Sequence, residues 1–168
     1  SNVRQTSVSD RSLDQMLIAG EIDTLMSSAA PKSFIDGNPD IVRLYPDFED
    51  VESAHYQKTG IFPIMHTIAI KREIAEQNPW MAKNLFTAFE SAKNRSTGRL
   101  RDITISRYPN PWNFAGAEQA RALFGDDIWP YGIEPNRKTL EQFLQFCLEQ
   151  GIAHRPVTVE ELFAPQLQ

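Results

Sequence analysis

The chain has 168 residues, of which 41% are hydrophobic and 23% are charged, and its formal net charge is -5. This composition predicts a folded domain with an ordinary hydrophobic core. The acidic balance offers no basic patch for nucleic acid, and no stretch approaches the roughly 20 apolar residues of a membrane helix. We therefore expect no nucleic-acid partner and no membrane span.

The first predicted elements are a short helix, a strand and an irregular connection. Ser12 and Gln15 have the spacing of a capping box, so a helix should begin after Ser12 and end at Gly20. The compact apolar run over 22–26 predicts a buried strand. Residues 27–40 are rich in Ser, Pro, Gly and Asp, which is typical of an irregular connection.

The next elements are a helix and a second strand. Asp47 can cap a helix that Gly60 closes, because Phe48 and Val51 then recur at one-turn spacing. Residues 64–70 are apolar on both alternating faces. This pattern predicts a strand that is covered on both sides, as in an α/β sheet.

Two further helices are predicted on either side of a surface excursion. Asn78 provides an N-cap and the following proline a first helical residue, so a helix is expected over 79–93. The apolar pattern is lost over 94–113, where glycine and prolines indicate an irregular excursion. A short helix over 117–124 follows and ends at a glycine.

The C-terminal part predicts a long helix over 135–150 and a short last helix. Gly151 ends the first of these, whose apolar stripe includes the only cysteine, Cys147. A buried, unreactive cysteine is therefore favoured over a nucleophile, and an internal disulfide is excluded. Thr158 and Glu161 repeat the capping-box spacing.

Together these elements predict an α/β fold that is helix-rich with a small mixed sheet. Only two strands, over 22–26 and 64–70, are indicated, and a sheet ordinarily has more. The missing strands would come either from sequence before Ser1 or from another copy of the chain. Because unpaired strand edges and apolar faces favour association, we expect a homo-oligomer.

His66 is the leading candidate for a catalytic residue. Its neighbours over 64–70 are apolar, and burying an imidazole there costs free energy unless it finds a hydrogen-bond partner. Histidine titrates near neutral pH, so this side chain could take a proton from a phenol or deliver one. From burial habits alone a hydrogen-bonded core histidine is the favoured alternative, and only the family resemblance described below makes the two about equal. His55 and His154 are expected at the surface.

The segment over 125–141 is dense in acidic, aromatic and basic residues. Trp129 and Tyr131 could wall an aromatic pocket for a ligand, or they could simply pack in the core. Arg137 lies in the first turn of a predicted helix, where the dipole disfavours a cation, so binding of a carboxylate would explain it. Solvated surface charge is the slightly favoured alternative, because the dipole penalty is under ~1 kcal/mol.

The sequence contains no motif for a metal or an organic cofactor. The three histidines lack HxH and HxxxH spacing, and one cysteine cannot form CxxC. Neither GxGxxG, GxxxxGK nor GxSxG is present. We expect no metal site built by this chain alone, while a divalent metal with ligands from elsewhere stays open.

Three stretches together resemble the 4,5-dihydroxyphthalate decarboxylase family: TGIFPIMHT at 59–67, GDDIWPYGIEPNRKTLE at 125–141 and VEELFAP at 159–165. The resemblance begins near Leu13 and covers the C-terminal half of a family member. It implies a partial type II solute-binding-protein-like fold with two lobes. Residues 1–26 would then be the end of the second lobe and a hinge strand, and residues 27–168 the C-terminal part of the first lobe with its C-terminal helices.

The same resemblance places Ser27 and Ser28 at the end of the hinge strand, facing the cleft between the lobes. Open α/β sheets bind ligands beyond the carboxyl ends of their strands, which agrees with that position. Small residues that merely suit a turn are an equal alternative. The substrate-binding candidates are therefore Ser27, Ser28, Thr67, Trp129, Tyr131 and Arg137.

The resemblance implies a cytoplasmic decarboxylase of a hydroxylated aromatic dicarboxylate that needs no organic cofactor. Its small-molecule partner would be an aromatic carboxylate. One alternative is a periplasmic solute-binding protein for a small organic anion, and another is an inactive partial chain that self-associates. A titratable base in the cleft would favour the enzyme, because a receptor needs only hydrogen-bond donors.

Overall fold

A computed structural model gives the structure of residue 4 and of residues 6–104 and 109–167. The chain is helix-rich, as predicted. It forms two compact units, Ser1–Glu52 and Ser53–Gln168, and the boundary between them falls within the third helix. The described helices are α1 Leu13–Ile18, α2 Lys32–Ile35, α3 Phe48–Thr59, α4 Arg72–Gln77, α5 Trp80–Leu100, α6 Asn113–Phe124, α7 Ile133–Glu149 and α8 Val159–Leu162, followed by a 3-10 turn, Pro165–Leu167.

The first unit contains the predicted capping box. The Ser12 hydroxyl accepts from the backbone N–H of Gln15 at 3.2 Å, and the Gln15 side chain accepts from the Ser12 N–H at 2.9 Å. Asp14 on α1 accepts hydrogen bonds from the backbone and hydroxyl of Ser33, which is buried on α2. The prediction of a wholly irregular 27–40 stretch missed α2.

The helices of the second unit follow the predicted order with shifted ends. α5 continues to Leu100, so the predicted excursion is shorter than expected, and residues 105–108 within it lie outside the described residues. α4 was not predicted. The Asn78 side chain donates to the Ile74 carbonyl at 3.1 Å, so it closes α4 instead of capping the next helix. Gly125 adopts a φ of 90° where α6 ends, as its predicted role requires.

The core of the second unit is formed by α7 and α8. Buried Ile133 and Leu140 on α7 pack with Val159 on α8, and Leu144 and Phe163 cover them. The Thr158 hydroxyl accepts from the Glu161 N–H at 3.4 Å, so the predicted N-cap of α8 is confirmed. Cys147 is only partly buried, whereas the stripe on α7 predicted full burial.

The small mixed sheet is a correction to the prediction. Neither 22–26 nor 64–70 is a strand, and no strand occurs in 6–104 or 109–167. Met26 is fully exposed, and Met65 and Ile68 are 66% and 67% exposed. Alternating apolar residues indicate a preference for burial, but a strand also needs a hydrogen-bonded neighbour. The described residues offer none because their regular structure is helical.

None of the described helices could cross a membrane; even α5, the longest at 21 residues, is too polar. The assignment of residues 1–26 and 27–168 to two lobes refers to a complete two-lobed protein and stays a prediction.

Candidate functional site

A cavity of about 1090 Å³ lies within the second unit. One wall is the irregular segment 60–70, and a second is the face of α5 that carries Leu85, Phe86 and Phe89. The segment 127–132, which leads into α7, and the C-terminal residues 160–167 also contribute to the lining. Most of these side chains are apolar, as is usual for sites that bind small organic molecules.

Aromatic rings form a continuous row along this cavity. The Phe124 ring lies 4.7 Å from that of Tyr56 and 5.1 Å from that of Phe62, measured between centroids. Phe62 in turn meets Trp129 edge to face, at 5.6 Å and an interplanar angle of 75°. All four rings line the cavity. Such tilted contacts are the favoured geometry for aromatic pairs, and they give a flat ligand an aromatic surface.

Four of the predicted site residues line this one cavity, although they come from two segments 62 positions apart in sequence. They are His66, Thr67, Trp129 and Tyr131. His66 is exposed to the cavity, so the alternative of a buried core histidine does not fit the described structure. Trp129 is 49% exposed. The roles of these residues stay predictions, but their positions are compatible with contact to one ligand.

The other predicted binding residues lie elsewhere. Ser27 and Ser28 are exposed in the first unit, and the Ser27 hydroxyl accepts from the Ala29 N–H at 3.4 Å, which is the geometry of a local turn. Arg137 does not line the cavity. Its guanidinium contacts Glu134 at 2.6 Å and Glu160 at 2.9 Å.

These contacts of Arg137 shift the titration of all three groups. The hydrogen bond to Glu134, and then the one to Glu160, raise the pKa of Arg137 above its ordinary value. The hydrogen bond from Arg137 lowers the pKa of Glu134. The pKa of Glu160 is lowered mainly by a hydrogen bond from its own backbone N–H and next by the hydrogen bond from Arg137. Arg137 therefore already binds carboxylates of its own chain.

Sequence reasoning missed two cations near the cavity. Arg72, the first residue of α4, lines the cavity, and it is the only permanently charged cation among the described lining residues. Lys93 on α5 lies behind the lining, where its ammonium contacts Asp127 at 2.7 Å. Lys93 follows Phe89 by four positions, about one helical turn, on the apolar side of α5, and this spacing could have indicated its burial.

No group of three or more His, Cys, Asp or Glu side chains in the described ranges is arranged to hold a metal ion. The cavity contains separate acidic residues, including Glu76, Asp127 and Glu161. Of these, Asp127 is paired with Lys93 and Glu161 with Arg155.

Comparison with known proteins shows similarity to a curated enzyme. The chain is 33% identical over 155 residues to a curated 4,5-dihydroxyphthalate decarboxylase from Comamonas testosteroni. The matched region is 92% of this chain and 47% of that enzyme, so the chain spans about half the length of the curated relative. No family model matches the chain. The similarity links the chain to a decarboxylase and gives no support to the solute-binding alternative.

Proposed function

We propose that the chain is the C-terminal portion of a decarboxylase that acts on a hydroxylated aromatic dicarboxylate of the 4,5-dihydroxyphthalate type. The supporting observations are that 92% of the chain is similar to the named enzyme and that the second unit contains a cavity that combines His66 with aromatic walls. Because the chain spans about half of that relative, the activity is proposed for the complete protein, with a two-lobed fold of the type II solute-binding kind.

The proposed reaction needs a base, an acid and a site from which water is excluded. Loss of the proton from the ring hydroxyl para to the departing carboxylate pushes electron density onto the carbon that carries this carboxylate. That carbon accepts a proton, the bond to the carboxylate breaks, and its electron pair returns to the ring as CO2 leaves. The phenolate then recovers a proton, so one proton is consumed overall. No oxidant, reductant or organic cofactor is needed.

His66 is proposed as the acid or the base of this reaction. It lines the same cavity as Trp129 and Tyr131, so a ring bound against those two residues would lie in the cavity that His66 faces. Thr67 is proposed to donate a hydrogen bond to the same ligand. Where an apolar lining excludes water, the electrostatic interactions that act on charged reacting groups are strengthened.

Arg72 is proposed to hold the carboxylate that is retained. A guanidinium can donate two parallel hydrogen bonds to a carboxylate, which fixes both the position and the orientation of the ring. Arg72 lines the cavity, and no ion pair binds it within the described residues, whereas Arg137 is bound to carboxylates of its own chain. Arg72 is therefore better placed than Arg137 for this role.

The test of the proposal is turnover by the protein that the full reading frame containing this chain encodes. With 4,5-dihydroxyphthalate, CO2 should be released and mass spectrometry should find a product with one carboxylate. Phthalate is the matched control because it has both carboxylates but no ring hydroxyl. It should compete for binding without losing CO2. Binding of both compounds with no CO2 from either would overturn the proposal and favour a solute-binding protein.

A further inference from the structure

Lys93 is a buried lysine that the proposed proton transfer does not use. Its side chain is 4% exposed, in the middle of α5, and it does not line the cavity. Lysine is almost never buried without partners, because removing an ammonium from water costs several kcal/mol. The energetic cost of its burial implies that its contacts are important to the structure around it.

Lys93 contacts the segment that carries Trp129 and Tyr131, two aromatic residues that line the cavity. The ammonium lies 2.7 Å from Asp127 Oδ2 and 3.1 Å from Glu90 Oε1, and 5.1 Å from the centroid of the Tyr131 ring. Burial alone would lower the pKa of Lys93, but the hydrogen bonds and charges of Asp127 and Glu90 more than offset it and raise the pKa. Lys93 therefore stays charged at neutral pH.

The segment 127–132 is fixed at both of its ends. Asp127 is bound by Lys93, and its other oxygen accepts from the backbone N–H of Trp129 at 3.2 Å. At the far end, the Asn136 amide donates to the carbonyls of Pro130 and Gly132, both at 2.9 Å. Trp129 and Tyr131 thus lie on a short segment that the ion pair of Lys93 and Asp127 holds at one end and the neutral Asn136 amide holds at the other.

We propose that Lys93 is a positioning residue that sets the orientation of Trp129 and Tyr131, through Asp127 and through its contact with the Tyr131 ring, for binding of an aromatic substrate. This inference rests on the proposed function. A direct contact between Lys93 and a substrate carboxylate is disfavoured, because two of its three N–H donors are used by Asp127 and Glu90 and its charge faces the Tyr131 ring. The aromatic side chains of a binding site contribute fully only when they are held within about 0.5 Å of the positions that contact with the ring requires.

The test compares Lys93→Met with Lys83→Met, a matched change at an exposed lysine of the same helix. In the full-length protein, Lys93→Met should raise KM for 4,5-dihydroxyphthalate about tenfold with kcat changed less than about twofold, because contacts of the ring with Trp129 and Tyr131 are weakened while the groups that transfer protons are unchanged. Lys83→Met should leave both unchanged. Lys93→Arg, which keeps the charge and donors, should restore most of the affinity.

A second measurement reports the environment of the Trp129 side chain and does not depend on turnover. With 5-fluorotryptophan incorporated, the ¹⁹F resonance of Trp129 can be identified by its loss in Trp129→Phe. Lys93→Met should shift or broaden this resonance, whereas Lys83→Met should not. If Lys93→Met does not fold, Asp127→Asn provides the same comparison, since it removes the charge that Lys93 binds.

The outcomes separate the two proposals. An unchanged Trp129 resonance and an unchanged KM in folded Lys93→Met would overturn the positioning role, as would a fall in kcat with KM unchanged. If the wild-type protein binds phthalate but turns over no dihydroxyphthalate, the proposed function fails. The Trp129 resonance and the affinity for phthalate would then still decide whether Lys93 positions the wall.

Discussion

Arg137 Nη1 lies 2.9 Å from Glu160 Oε1, so an arginine on α7 binds the first turn of α8. Glu160 lines the cavity and Arg137 does not. The same guanidinium lies 2.6 Å from Glu134 and 3.6 Å from Glu141 on its own helix. Arg137 thus holds a part of the cavity wall in place, which is a structural role that its carboxylate chemistry alone did not reveal.

Arg137→Met should lower the melting temperature at neutral pH. The pKa values of Glu134 and Glu160 are depressed from 4.5 in the folded state. Depressed carboxyl pKa values stabilise the fold above the unfolded pKa, and that stabilisation is lost as pH falls through the folded pKa values. The difference in melting temperature between wild type and variant should therefore shrink below about pH 4.5. A difference that stays constant as pH falls well below that value would contradict the pairing.

Arg72 and Arg137 should differ in their effect on substrate binding. Arg72→Met should raise KM for the dicarboxylate by about 10–100-fold, because one charge-assisted carboxylate contact is removed. Arg72→Lys should recover only part of the loss, because an ammonium cannot donate the two parallel bonds. Steady-state kinetics are the measurement, with Arg99→Met on α5 as the exposed control. Equal KM values for Arg72→Met and wild type would remove Arg72 from the site.

Leu140 should be more sensitive to truncation than Leu148 on the same helix. It is 7% exposed and packs with Ile133 and Val159, so Leu140→Ala should lower the free energy of unfolding by about 2–5 kcal/mol. Leu148 on the same helix is 41% exposed, and Leu148→Ala should cost less than about 1 kcal/mol. Urea denaturation of the two variants measures the difference. Similar losses would show that the core is not centred on Leu140.

Self-association of the chain stays a prediction, and the exposed apolar segment 64–70 is the surface on which we expect it. Ile68→Lys should shift the chain toward monomer in sedimentation at micromolar concentration, because a charge there opposes burial. Ile152→Lys is the control, since Ile152 is 68% exposed and Ile68 is 67% exposed. A wild-type chain that sediments as a stable monomer would contradict the prediction.

Helices were predicted well where local rules determine them. Ser12 and Thr158 form their N-caps, and Gly125 and Gly151 end their helices with positive φ values, because these signals act within a few residues. The strands were predicted wrongly because their hydrogen bonds must come from distant segments. The apolar pattern over 64–70 shows no such partner.

The candidate site could be predicted only in part, because residue type is visible in the sequence whereas contacts between distant segments are not. His66, Trp129 and Tyr131 stand out by residue type, and the structure brings them to one cavity. Arg72 carries no local signal, since it is one of 17 lysine and arginine residues in the chain and belongs to no recognisable motif. The reach of Arg137 to Glu160 spans 23 positions and depends on how α7 packs with α8.

The most direct test of the account is the effect of His66→Asn on turnover of 4,5-dihydroxyphthalate by the full-length protein. Asparagine keeps hydrogen-bonding capacity but cannot transfer a proton near neutral pH, so kcat should fall about 10²–10⁴-fold with KM changed little. His66 is exposed, so the melting temperature should hardly change. His55→Asn, a change at another exposed histidine on α3, should leave turnover intact. A folded His66→Asn protein with undiminished kcat would contradict the account.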